Sequence, residues 1–370
     1  MFDTLTRMGA SAAGAYEIER SLRFDSSSTT AFTRTPSSSA DDQIQTYSFW
    51  CKRCVLDEYH YVFSAWNGSN TDRIGFTNDG QFFIELKDGG STEAEWHSDK
   101  KHYDPSAWYH VVVAFNTTLA TENHRMRAYI NGEEITDWDL DNDVSQNYEI
   151  KGFGQSGKFN VVGAITNSGS SYINHFNGYI AEFHFIDGAQ KVPGDFGKTD
   201  PVTGQWIPIR YGGSYGSQGW YLNFSDNSNT TAGTLGADSS GNGLNWTPVN
   251  FSVSSGLGND SFIDTPTNNF CTMNPLTKQN ATVTNGNLSV STDGNNSGVY
   301  ATMTLPSTGK WYFEMTQGSA GEPGLFFQTD ATSMPRTFQW NASNNNGFFA
   351  LMYSGLEVYD GTNLIDESGS

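Results

Sequence analysis

Residues 176–188 read FNGYIAEFHFIDG. Counted by twos, Tyr179, Ala181, Phe183 and Phe185 fall on one side and Ile180, Glu182, His184 and Ile186 on the other, which is the period of a β-strand. Glu182 and His184 are two residues apart, so they are either an acid/base couple in a cleft or the solvated side of a wall. A retaining glycosidase needs two carboxyl groups about 5–5.5 Å apart. The alternate positions here read Glu182, His184, Ile186, and Asp187 points the other way by parity. With the second carboxylate missing, the pair reads as wall.

Working outward, residues 17–190 hold a dense series of similar runs: YEIERSLRF, TAFTRT, TYSFWCKR, YVFSAW, DRIGFT, QFFIEL, WYHVVVAF, RMRAYI, EEIT and KFNVVGA. Asn131-Gly132 between RMRAYI and EEIT is a type I′ hairpin signal, and Asn78-Asp79-Gly80 joins DRIGFT to QFFIEL in a slightly longer loop. In WYHVVVAF, Tyr109, Val111, Val113 and Phe115 oppose Trp108, Val112 and Ala114, so both faces are apolar and the strand belongs in the middle of a sandwich. The fold class is all-β with very little helix. Residues 1–16 are small and polar and read as an attachment arm. Residues 191–275 change to Gly/Ser/Asn/Pro-rich sequence with isolated Trp and Tyr anchors, an extended segment expected to pack over a neighbouring domain. From 276 to 370 strands return (NLSVST, VYATMTL, KWYFEMT, GLFFQT, GFFALMY, LEVYD) as a second β module that stops early, so either it is small or the natural chain continues.

Forty acidic against twenty basic residues give a formal charge of −20, which repels phosphate backbones and excludes nucleic acid as a partner. No run approaches the eighteen apolar residues of a membrane span, and the N-terminus lacks a signal peptide's charged start and apolar centre. Three cysteines cannot build a disulfide framework; a strand through YSFWCKRCVL sends Cys51 and Cys54 to opposite faces, which makes them structural.

Several motifs invite other chemistry. KGFGQSGKF satisfies G-x-G-x-x-G at Gly152, Gly154 and Gly157, but a strand follows where a phosphate loop needs a helix. GGSYG around Ser214 resembles a nucleophile elbow without the helix that follows one. WDLDNDV places Asp139, Asp141 and Asp143 at alternate positions, oxygen ligands suited to calcium, though without an EF-hand's glycine and glutamate. SAWNGSNTD offers Trp66 as an aromatic platform beside Asn67, Asn70 and Asp72, a mixture suited to binding carbohydrate; the bland alternative is a turn with a packing tryptophan.

Taken together, SLRFD, TYSFWCKR, DPSAWYHVVVAFNTT, RMRAYINGEEIT and FNGYIAEFHFIDG resemble the laminin G-like, concanavalin A-type jelly rolls in structural proteins of tailed bacteriophages, marine ones in particular. GQWIPIRYGGSYGSQGWYLNFSDNS, LGADSSGNGLNWTPVNFS and DTPTNN resemble the segment that accompanies this domain, and TGKWYFEMT the start of a SPRY-type sandwich. CKRC departs from the family, and the later SPRY strands are missing. The resemblance implies a virion component made in the host cytoplasm, in a tail fibre or other external appendage that contacts the host surface. Its expected partners are other virion proteins through the N-terminal arm and a host-surface glycan, and fibres of this kind are commonly homotrimers, although no heptad specifies one. It transfers no catalytic set. The alternatives are a capsid or neck decoration protein and a polysaccharide depolymerase.

Overall fold

The computed structural model describes residues 16–69, 71–292, 297–304, 308–310, 312 and 314–316, and the backbone of 324–327, 348–353, 355–360 and 363–368. The alternating runs form strands in chain order: β1 (Ser21–Phe24), β2 (Ala31–Arg34), β3 (Ile44–Arg53), β4 (His60–Trp66), β5 (Thr71–Phe76), β6 (Gln81–Asp88), β7 (Ser91–Lys101), β8 (Tyr109–Asn116), β9 (Met126–Ile130), β10 (Glu133–Glu134), β11 (Trp138–Asn142), β12 (Asn160–Val162), β13 (Ile165–Thr166), β14 (Tyr172–Ile173) and β15 (Gly178–Asp187). The only helical turns among the described residues are three-residue 3-10 pieces.

The chain passes back and forth between two antiparallel sheets. The first runs β10-β9-β8-β3-β15-β1 and the second β11-β7-β6-β5-β4-β12-β2. Tyr47, Phe49 and Cys51 of β3, Val111, Val113 and Phe115 of β8, and Phe183 and Phe185 of β15 meet Phe63, Ile74, Phe76, Phe82, Ile84 and Leu86 of the second sheet in one core. Aromatic pairs cross-brace the middle strands of the first sheet: Tyr47 stacks on Phe185 at 4.7 Å and Phe49 on Phe183 at 4.9 Å. Burying each such ring contributes about 1.5–3 kcal/mol. The expected hairpin between β9 and β10 is present, with Asn131 and Gly132 both at positive φ (53° and 85°) as a type I′ turn requires.

The segment 191–275, expected to pack over a neighbouring domain, packs on the sandwich and adds strands to both of its sheets. After a hairpin of β16 (Gly197–Thr199) and β17 (Trp206–Pro208), β18 (Trp220–Leu222) pairs with β15, β19 (Thr247–Val249) extends the second sheet beside β2, and β20 (Ser261–Phe262) extends the first beside β1. Trp220, Leu222, Phe224, Leu235, Trp246 and Phe251 enter the same core. Strands of two or three residues are too short to show alternation, which is why the segment read as irregular. The acidic run WDLDNDV also joins a sheet. Most of it is β11, an edge strand paired with β7.

Beyond the sandwich, β21 (Ala281–Thr284) and β22 (Ser289–Thr292) form a hairpin, and β23 (Gly324–Phe327), β24 (Phe348–Tyr353), β25 (Gly355–Asp360) and β26 (Asn363–Ser368) form an antiparallel sheet in that order. Residues 1–15 of the expected arm, and Trp311 and Phe313 of KWYFEMT, lie outside the described residues.

Candidate functional site

In β15 the alternation breaks in the middle. The register against β3 shifts between Ala181 and His184, and Glu182 takes a left-handed φ of 52°, the signature of a β-bulge. The extra residue reverses parity. Ile180 points into the core while Tyr179 and Ala181 face outward, whereas beyond the bulge Phe183 and Phe185 point inward. The bulge also divides the edge of β15: β1 pairs along Gly178–Ile180 and β18 along Phe183–Phe185.

Glu182 and His184 are both 5% exposed, so the solvated wall expected for them is instead a closed one. Tyr221 Oη donates to Glu182 at 2.6 Å and Tyr16 Oη to Glu182 Oε2 at 2.8 Å. His184 Nε2 is 3.6 Å from Glu182 Oε2, and its ring stacks on Tyr221 at 4.2 Å while Nδ1 meets Tyr215 Oη at 2.9 Å. Burial, and the Glu182 carboxylate after it, push the phenols of Tyr16, Tyr215 and Tyr221 well above their ordinary range. They therefore stay protonated and donate.

The rest of this outer face is covered in the same way. His110, whose Nδ1 accepts from Trp206 Nε1 at 3.0 Å, is left with an Nε2–H to donate to Ser48 Oγ at 2.9 Å, and burial pulls its pKa down to about 3. Lys52 donates to Asp264 at 3.0 Å, Trp108 Nε1 to the same carboxylate at 3.1 Å, Arg23 to Asp260 at 2.8 Å, and Tyr179 Oη to the carbonyl of Gly286 at 2.7 Å. Apart from Ser48 and Tyr16, the acceptors and lids come from residues 191–286, so the chain seals its own first sheet. Cys51 lies in the main core and Cys54 in the outer cluster, opposite faces as expected, and burial raises both thiols to about 12.

On the second sheet, β4–β7 carry two cross-strand rows on the outer side. One aligns Tyr61, Gly75, Phe83 and His97; its neighbour aligns Ser64, Arg73, Glu85 and Glu95. The glycine is required. A Cβ at position 75 would lie 2.0 Å from the carbonyl oxygen of His60 and 3.0 Å from Phe83 Cε1. Tyr59, 45% exposed, lies against Tyr61 and Phe83, with both ring centroids at 6.2 Å. Arg73 reaches over Tyr61 and pairs with Glu85, which also takes Lys87 at 2.7 Å, and His97 Nε2 is 3.2 Å from Glu95. Tyr61 and Phe83 are themselves buried, so the exposed Tyr59 ring is the apolar surface here, and the partly exposed Arg73, Lys87, Glu95 and His97 beside it are the hydrogen-bond groups open to an amphipathic ring ligand.

Residues 26–192 match the family model of the concanavalin A-like lectin/glucanases superfamily. The sandwich is concanavalin A-like. Among solved structures, the chain is similar to the heptameric SAP-like pentraxin from Limulus polyphemus, at 17% identity over 48% of this chain and 80% of that one (TM-score 0.36). A putative carbohydrate binding protein from Bacteroides ovatus is 14% identical over 63% of this chain and 58% of its own (TM-score 0.40). The CBM40 of the Ruminococcus gnavus IT-sialidase, bound to alpha2,3 sialyllactose, is 17% identical over 45% and 85% (TM-score 0.28). No curated protein matches the chain.

Within this concanavalin A-like sandwich the residues singled out from sequence are dispersed. Asp72 is fully buried, accepting from the backbone N–H of Lys87 at 3.0 Å and of Gly152 at 2.8 Å. Asn67 is buried too; its amide donates to the Lys87 carbonyl and its Oδ1 accepts from Ser69 N at 3.0 Å. Trp66 is half-buried at the end of β4, and Asn70 lies outside the described residues. Asn67 and Asp72 therefore bind the chain's own backbone. The glycine loop is explained by the same carboxylate: a Cβ at Gly152 would come within 2.6 Å of Asp72 Oδ2.

The calcium expectation lacks its ligand set. The register slips between Trp138 and Leu140, which breaks the parity that would align Asp139 with Asp141. Asp139 accepts from Gln81 Nε2 at 3.0 Å, and Asp143 lies past the strand's end. Among the described residues no three His, Cys, Asp or Glu side chains are grouped to hold a metal. Ser214 is exposed and followed by β18, a strand and not a helix.

The two rows on the second sheet were not recognised from sequence. Their signal was present, because counting back from the Asn78–Gly80 turn pairs DRIGFT with QFFIEL and sets Arg73 opposite Glu85.

Proposed function

We propose that this chain is a non-catalytic structural component of a tailed-bacteriophage virion, placed in a tail fibre or other external appendage, and that it contacts host-surface glycan through the outer side of β4–β7. The observation that carries this reading is the asymmetry of the sandwich. Residues 191–286 cover the outer side of the first sheet, while the second keeps Tyr59 exposed and Arg73, Lys87, Glu95 and His97 partly exposed, over the buried rings of Tyr61 and Phe83. A family described as lectins and glucanases spans binding and hydrolysis. The burial of Glu182 under Tyr16 and Tyr221 supports binding, because a general acid must reach the bond it cleaves. Tyr16 is fixed on the covered side, and the sequence ahead of it is the segment that joins other virion subunits.

A glycan array that includes host-envelope polysaccharides tests the binding half. Wild-type chain should bind, and Arg73→Ala should weaken binding by about tenfold or more, the value of one charged hydrogen bond. Binding indifferent to Arg73, or reducing ends released from polysaccharide and lost in Glu182→Gln, would contradict it. Immunogold labelling of particles tests the location, and label on the capsid or neck would contradict an appendage.

A further inference from the structure

Other buried cations of the sandwich meet a carboxylate or several carbonyls, although Nη1 of Arg23 is itself without a partner among the described residues. Arg23 donates through Nε and Nη2 to Asp260, Lys52 donates to Asp264, and Arg125 donates to the carbonyls of Leu119, Ala120 and Val144. Arg53, 0% exposed, differs. It has the parity of Cys51 and lies inside the sandwich, its guanidinium 4.7 Å from the ring centre of Phe76. Nη1 donates to the carbonyl of His102 at 2.7 Å, but Nε and Nη2 have no partner among the described residues. Those two N–H groups share one edge of the guanidinium, the edge that grips an anion bidentately.

Two histidines flank it. His60 is fully buried against Phe176 with both ring nitrogens unpartnered, and His102, against Phe76 and Tyr109, has Nε2 unpartnered. The ionisable groups that act on Arg53 to favour its charge are Cys51, Tyr109 and Tyr103, a thiol and two phenols, with no carboxylate among them. Burial lowers the guanidinium to about 10, which leaves it charged at neutral pH, and it lowers His102 to about 4 and His60 well below its usual value, so both imidazoles are neutral. A buried charge without a counter-charge costs several kcal/mol. Unpaired buried donors of this kind mark an ion or ordered water.

We propose that this end of the sandwich holds a small monovalent inorganic anion, chloride under ordinary conditions, across the Nε/Nη2 edge of Arg53 with an imidazole N–H of His60 as a further donor. Charge favours an anion over water, since water does not neutralise the guanidinium. Size favours a halide over sulfate or phosphate. The rings of Phe76, Phe176 and Tyr109 line the surroundings and the Tyr109 hydroxyl is engaged with Asp104, so besides the two imidazoles these neighbours give the outlying oxygens of a larger oxyanion no donor.

Crystals of the full chain grown in bromide should show an anomalous peak within hydrogen-bonding distance of Arg53 Nε and Nη2. The unfolding midpoint in chloride should exceed that in gluconate of equal ionic strength by about 2 °C, and Arg53→Met should remove the difference. Ordered water without anomalous signal would overturn the proposal, as would equal midpoints in the two salts. A bromide peak without chloride dependence is an adventitious ion only and overturns it equally. If Arg53→Met does not fold, the wild-type bromide and salt comparisons decide.

Discussion

Asp72 stands in a sequence context that suits a ligand and in a structural one that suits the backbone. Burial pushes its carboxyl from 3.8 up to about 7, against the opposing pull of the Lys87 and Gly152 N–H groups. Between those values the folded chain keeps a proton that the unfolded chain has released. Its contribution to stability is therefore greatest below 3.8 and declines as pH rises towards 7. Asp72→Asn should remove that part of the pH slope and, by placing an amide NH2 against one backbone donor, cost about 1–3 kcal/mol; urea midpoints across the pH range measure both. The bulge residue Glu182 invites a similar substitution. Glu182→Gln should cost about 1–2 kcal/mol in urea unfolding, because hydroxyls at Tyr16 and Tyr221 can reorient to accept from the amide, and it should leave glycan binding unchanged.

At the scale of elements, most of the sandwich was legible because long strands alternate and their turns carry Asn-Gly and Asp-Gly chemistry. β3, β8 and β15 are explicit in TYSFWCKR, WYHVVVAF and GYIAEFHFI. β7 was missed because its inward residues, Ala94, Trp96 and Ser98, are interleaved with Glu93, Glu95 and Asp99, and two small residues dilute the apolar side. The parity of β15 was misread because a bulge has no signature in side-chain type; Glu182 is an ordinary residue in an unusual backbone. The candidate site suffered from the same limit. Trp66, Asn67 and Asp72 cluster in sequence, while Tyr61, Arg73, Phe83, Glu85 and His97 meet only across hydrogen-bonded strands. Gly152→Ala tests one such meeting. Its Cβ would press on Asp72 Oδ2 and on the Ala65 carbonyl oxygen at 2.8 Å, so unfolding should become easier by about 1–3 kcal/mol, and an unchanged urea midpoint would show that the loop moves freely away.

For the whole molecule, the decisive fact is that one chain builds both the sandwich and the cover of one of its sides. Residues 191–275 supply Trp220 and Trp246, which meet at 4.7 Å inside the core. Trp246→Ala should cost about 3–5 kcal/mol in urea unfolding, and a chain ending at residue 190 should fail to give a cooperative transition. That cover leaves the outer side of β4–β7 to face a partner. Hydrogen–deuterium exchange of the full chain, with and without a host-envelope polysaccharide that it binds, tests this most directly. Protection should concentrate in residues 59–97, across the strands that carry Tyr61, Arg73, Phe83 and Glu85. Protection confined to residues 191–221, over Glu182 and His184, would contradict the account.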